Sequence, residues 1–190
     1  MSSTGLSHPE PRPSALVVYE SMFGNTKAVA EAIALGLAST FDADLVECSR
    51  AAARLPADLA LLVVGAPTHA FGLSRESTRE DARRQATEAD HPSEPGLREW
   101  LDGLASADGS TGPGLRTAAF DTKVSHPRLP GSAAHAAARR LKRLGHIQLV
   151  KPQTFFVEGA RGPLVDGASD AAFEWGRELS AKALAAVGTS

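Results

Sequence analysis

The chain has 190 residues, 43% of them hydrophobic and 22% charged, which is enough for one sizeable core and short for two. A formal net charge of -2 supplies no basic field and argues against partnership with nucleic acid or an anionic membrane surface. Cys48 is the only cysteine, which rules out an intramolecular disulfide and a thiolate-rich metal site, and suits a cytoplasmic location.

Residues 1–14, MSSTGLSHPEPRPS, hold three prolines and no uninterrupted apolar run, so they read as a disordered leader ahead of a single domain over residues 15–187. No stretch approaches eighteen consecutive apolar residues and no lipidation signature stands at either end, so no membrane association is expected. Ala15 to Tyr19 is a short apolar run rich in β-formers, which predicts a fully buried strand. Ala30, Ile33, Ala34 and Leu37 then recur at helical spacing and predict a helix from about Asn25 to Ala38. Ala43 to Cys48 and Leu59 to Val64 are the second and third strand candidates, the latter stopped by Gly65-Ala66-Pro67.

Residues 75–95 change character. Arg75, Glu76, Arg79, Glu80, Asp81, Arg83, Arg84 and Glu88 crowd a stretch almost without large apolar side chains, so it is either a solvated helix or a mobile insertion. Leu97, Trp100, Leu101 and Leu104 restore a helical stripe, and the Gly- and Ser-rich run from Asp108 to Gly114 leads into a fourth strand at about Leu115 to Asp121. A helix from about Ser132 to Leu144 follows, with basic residues near its end and Gly145 as its C-terminal cap. Ile147 to Val157, broken by Pro152, is a fifth strand or two strand fragments, and a helix from about Ala168 to Val187 closes the chain.

Strands alternating with helices predict an α/β fold: a three-layer, doubly wound, five-stranded parallel sheet. With right-handed crossovers and strand order 2-1-3-4-5, a ligand belongs outside the carboxyl ends of strands 1 and 3. The loop Ser21-Met22-Phe23-Gly24-Asn25-Thr26 lies there, between a buried strand and a helix start, where free N–H groups and the helix dipole favour an anion. Gly24 permits positive φ, and Ser21, Asn25 and Thr26 bring short polar side chains within reach of phosphate oxygens. The same residue types are ordinary turn and cap formers; it is their position directly after strand 1 that favours a phosphate site. The loop has neither the Gly-Lys-Ser/Thr of a P-loop nor a G-x-G-x-x-G fingerprint. A phosphate-accepting receiver would want an Asp at the end of strand 3, where Gly65-Ala66-Pro67 stands.

The run VVYESMFGNTKAVAEAIALGL resembles the start of the flavodoxin family, and VVGAPTHAFG resembles that family's second ligand loop. The resemblance implies a flavodoxin-like fold and noncovalent FMN, with its phosphate at Ser21 to Thr26 and the isoalloxazine edge between the loops after strands 3 and 4. By position, Pro67, Thr68, His69, Ala70, Phe71 and Gly72 would border the ring, and Asp121, Thr122 and Lys123 would lie near its pyrimidine side. Phe71 could stack on the ring or plug the core, and His69 could bond to the ring or be an ordinary loop residue. Three departures stand out: Phe23 occupies a position usual for Thr, the loop after strand 4 has no aromatic, and the acidic balance of flavodoxins that dock basic partners is missing.

Trp100 and Trp175 read as core anchors, Cys48 as a buried small side chain, and Arg139, Arg140, Lys142 and Arg143 as a solvated helix end. No catalytic triad, metal-ligand cluster or carboxylate pair is apparent. The expected function is that of an FMN-binding redox protein, either an electron carrier or a small flavin-dependent reductase working with a redox donor and acceptor. The alternative is an interaction module that keeps the fold and no longer holds FMN.

Overall fold

A computed structural model of the chain describes residues 11–69, 72–85, 94–106, 114–126 and 130–187. Strand β1 (Ser14–Tyr19) carries the buried apolar run, and helix α1 (Asn25–Leu37) follows at the Gly24-Asn25 step. Strand β2 (Asp42–Glu47) and strand β3 (Leu59–Pro67) flank β1 in parallel, with Val17 opposite Leu45 on one side and Val63 on the other. Helices α2 (Glu76–Gln85) and α3 (Leu97–Ser106) precede strand β4 (Arg116–Val124), which pairs with β3 in parallel. Helix α4 (Ala133–Arg143), strands β5 (Ile147–Gln148) and β6 (Gln153–Val157), and helix α5 (Ala168–Val187) complete the order.

The sheet runs 2-1-3-4-5 as the sequence predicts, with its fifth position split. Both β5 and β6 pair with β4, β5 at its start and β6 at its end. Pro152 sits between them, where a residue without an N–H cannot continue the ladder.

Each face of the sheet has its own core. Val17, Leu61, Val63 and Phe120 pack with Val29 and Ile33 of α1 and Ala172 and Leu179 of α5. Val18, Leu62, Val64 and Ala119 face α3 through Leu97 and Trp100, and α4 through Ala137 and Leu141. Trp175 is a core anchor as expected, set edge-on to Phe120 and Phe155 with ring centroids 6.1–6.3 Å apart.

Two expectations move. Strand β4 continues past Asp121 to Val124, so Thr122 and Lys123 belong to the strand itself; the ladder persists because Thr122 pairs with Pro67 and Val124 with Val157. In the charged segment, α2 is a helix over residues 76–85, whose buried side chains include Arg79 and Ala82, while residues 86–93 lie outside the described residues. Helix α4 ends as the sequence predicts: Ser132 Oγ accepts from the His135 N–H at its start, and Gly145 has φ of 85° just past its end.

Candidate functional site

Strand β1 delivers the chain to the carboxyl edge of the sheet, and the turn into α1 begins at once. Gly24 stands immediately before α1 with φ of 83°, a conformation that a side chain would strain, and no atom lies within 4 Å of where its Cβ would point. The first α-helical bond runs from the Ala28 N–H to the Gly24 carbonyl, so the N–H groups of Asn25 and Thr26 precede the intrahelical ladder. Those donors and the dipole of a 13-residue helix form the anion-attracting element of the loop.

The polar side chains of the loop also hold it together. Ser21 Oγ accepts from the Gly24 N–H at 3.1 Å and the Lys27 N–H at 3.4 Å, folding the hydroxyl into the turn. Thr26 Oγ1 and Thr122 Oγ1 share a buried hydrogen bond of 2.7 Å that ties α1 to β4. Asn25 Nδ2 donates to the Arg161 carbonyl at 3.0 Å, and the Arg161 guanidinium lies 4.7 Å above the Phe23 ring. A segment after β6 therefore closes one side of the loop, and Phe23, the departure noted in the sequence, is what it closes against.

A cavity of about 220 Å³ opens beside the turn. Phe23, Asn25 and Thr26 contribute from the β1–α1 loop; Pro67, Thr68 and His69 from the end of β3; Thr122, Lys123 and Val124 from β4; and Val157 and Ala160 from β6 and its loop. A second cavity of about 210 Å³ shares Phe23, His69 and Ala160 with the first and takes its other wall from Thr78, Asp81 and Ala82 of α2. Each alone is below the roughly 300–1,000 Å³ usual for small-molecule sites, and together they fall within it.

Most of the residues singled out from the sequence converge here. Ser21 and Met22 lie beneath the turn, buried, and line neither cavity. Gly72 pairs with His69, each N–H bonding to the other's carbonyl at 2.9 Å, and Ala70 and Phe71 between them lie outside the described residues. Burial lowers the His69 pKa from its ordinary value, because desolvation disfavours the charged ring.

Asp121 lies at the site's edge and lines neither cavity. Its Oδ2 accepts from Thr68 Oγ1 at 2.8 Å, Ser132 Oγ at 2.6 Å and the Ala134 N–H at 3.1 Å, which pins the end of β3 to the start of α4. The residues missed by sequence reasoning are Val124, Val157 and Ala160, and Thr78, Asp81 and Ala82 of α2. A signal for Ala160 existed: Gly159-Ala160-Arg161-Gly162-Pro163 is a turn-rich stretch at the carboxyl end of another strand.

The flavodoxin family model matches residues 17–112, just over half of the chain, and the chain therefore belongs to the flavodoxin family. Among solved structures it is similar to a flavodoxin from the domain Archaea, at 20% identity and a TM-score of 0.65, with 90% of this chain and 99% of that one covered. Oxidised Flavodoxin 1 from Bacillus cereus aligns at 17% identity and a TM-score of 0.63, covering 87% and 96% of the two chains. A flavodoxin, WrbA-like protein from Agrobacterium tumefaciens aligns at 17% identity and a TM-score of 0.55, covering 91% and 98%. At these identities the likeness establishes the fold. No curated protein matches the chain. Among the described residues, no group of three or more His, Cys, Asp or Glu side chains is placed to hold a metal, and no helix is long and apolar enough to cross a membrane.

Proposed function

We propose that the chain is an FMN-binding redox protein. The observation that carries this reading is the convergence of a glycine-turned helix start, the ends of β3 and β4, and two adjoining cavities on one carboxyl edge of a flavodoxin-family sheet. The donor set suits a phosphate monoester: backbone N–H groups at the start of α1, with Asn25 and Thr26 beside them. Phe23 and His69, which border both cavities, would flank the ring system; the flavin supplies reversible one- and two-electron chemistry when bound. On the protein's side, burial and hydrogen bonds around the ring set which redox state is favoured.

The first experiment is a titration of the purified protein with FMN, followed by flavin absorbance and fluorescence, with riboflavin as the phosphate-free control. Tight FMN binding with much weaker riboflavin binding is the expected result, and failure to bind either overturns the reading. Oxidation of NADH or NADPH by the loaded protein in the presence of a quinone or dye would make it a reductase; its absence with every acceptor tried would remove the reductase version.

One feature favours a second reading, in which the fold serves as an interaction module without flavin. Ser21, Asn25, Thr26 and Asp121 already spend side-chain polar groups on neighbours in the protein, and neither cavity alone has the volume of a small-molecule site. The same titration separates the two readings.

A further inference from the structure

A groove of about 510 Å³ lies away from the candidate ligand site, between β6 and the first half of α5. Strand β6 occupies one edge of the sheet, and its inner side is bonded to β4, with the Ser125 N–H reaching the Val157 carbonyl at 2.9 Å. On its outer side, among the described residues, the returning chain bonds to the C-terminal end, where the Val165 N–H meets the Phe156 carbonyl at 3.0 Å and the Glu158 N–H meets the Pro163 carbonyl at 2.9 Å. Thr154 is two residues before Phe156 and presents its backbone to the same outer side. Its carbonyl accepts from the side chain of neighbouring Gln153 at 3.2 Å, and among the described residues no strand lies beyond it.

Edge groups of this kind are completed by an extended segment. Trp175 gives the groove an apolar floor, and Phe156 is 40% exposed at its side. Among the described residues, every charged side chain lining it is a carboxylate: Asp166, Glu174 and Glu178. Glu174 and Glu178 pair along α5 with Arg177 at 3.3 Å and Lys182 at 2.9 Å, but these are half-exposed pairs of small energy and their cations do not line the groove.

We propose that this groove is a docking site for an extended, basic segment of a partner protein, which adds a strand at Thr154 and sets cationic side chains against Asp166, Glu174 and Glu178. A second copy of this chain is the poorer occupant, because edge-to-edge pairing would bring two sets of these carboxylates together. The site stands independently of the flavin reading. Val157, at the end of the same strand, lines the 220 Å³ cavity, so a segment docked here lies beside the candidate ligand site.

The test uses the full chain, isotopically labelled, titrated with a capped octapeptide of alternating Lys and Val and followed by backbone NMR shifts; the Glu and Val counterpart is the control. The Lys peptide is expected to shift residues of β6 and the first half of α5, and the Glu peptide is expected to shift none. Glu174→Gln with Glu178→Gln should weaken the Lys peptide roughly three- to tenfold. Thr154→Pro should weaken it roughly tenfold, because it removes an N–H that points away from β4. The carboxylate pair keeps the test decisive if the proline variant fails to fold. Equal binding of both peptides, shifts elsewhere, no shifts, affinity unchanged in the Gln pair, or dimerisation through this edge would overturn the proposal.

Discussion

At the scale of single residues, Glu20 departs furthest from an ordinary environment. It is fully buried directly before Ser21; its Oε2 accepts from the Leu97 N–H at 2.8 Å, while its Oε1 has no hydrogen-bond partner among the described residues. Arg79 of α2, 3% exposed, sits close by and bonds Ser74 Oγ at 3.0 Å and Glu99 Oε2 at 3.1 Å. Burial pushes the Glu20 pKa up; bonds from Ser74 and Leu97 and the charge of Arg79 oppose that rise without cancelling it. A carboxyl whose pKa is raised by folding favours the folded state while protonated, so its contribution is present at low pH and is lost as pH rises through the raised value. Glu20→Gln, which resembles the neutral acid, should therefore match the wild type near pH 4 and become the more stable protein toward pH 8. Urea midpoints across that range check this, and a Gln variant that falls behind as pH rises would show that the charge of Arg79 outweighs the burial.

At the scale of elements, α1 and α5 come into backbone contact at a pair of glycines. A Cβ on Gly36 would run into the Phe173 carbonyl, and one on Gly176 into the Ile33 carbonyl, so two glycines let the helix backbones touch. Backbone cannot step aside as a flexible side chain can. Gly176→Ala should thus destabilise by about 1–3 kcal/mol even though alanine is the better helix former. Gly103→Ala on α3, where the Cβ would meet only Ala53 at an ordinary 3.8 Å, should instead stabilise by up to about 1 kcal/mol. Denaturant unfolding of both variants reads the contrast directly. Both helices were expected from the sequence, α1 from its apolar stripe, but the glycine pairing was not legible, since it depends on two segments 140 positions apart meeting at those turns. Likewise α2 was legible only as charged: what seats it is Arg79 against Ser74 and Glu99, and a buried arginine looks in sequence like any solvated one.

At the scale of the whole molecule, the order of strands and the edge that carries the candidate cavities could be read from the alternation of apolar runs, because both follow from chain topology. The β1–α1 turn was legible for a local reason: Gly24 and the start of α1 are neighbours in sequence. The hydrogen bonds of Asp121 were not, because its partners come from the end of β3 and the start of α4 and meet only in the folded sheet. The wall given by Val157 and Ala160 arrives from the far end of the chain, which is why a reading centred on the first and third strands passed over it. This convergence makes a global prediction. A ligand that binds only the folded chain stabilises it by about 2.7 kcal/mol at a hundred times its dissociation constant, and its contacts concentrate protection where it sits. FMN at that excess should slow amide hydrogen exchange in the β1–α1 turn, at the ends of β3 and β4 and after β6, beyond the general slowing that follows global stabilisation. The loop between α1 and β2, at the opposite edge, should show only the general effect. Because the proposed site is assembled from four strand ends, protection limited to the first turn would place the phosphate there and leave the ring outside the cavities, while protection along β6 and α5 alone would mean that FMN had found the acidic groove.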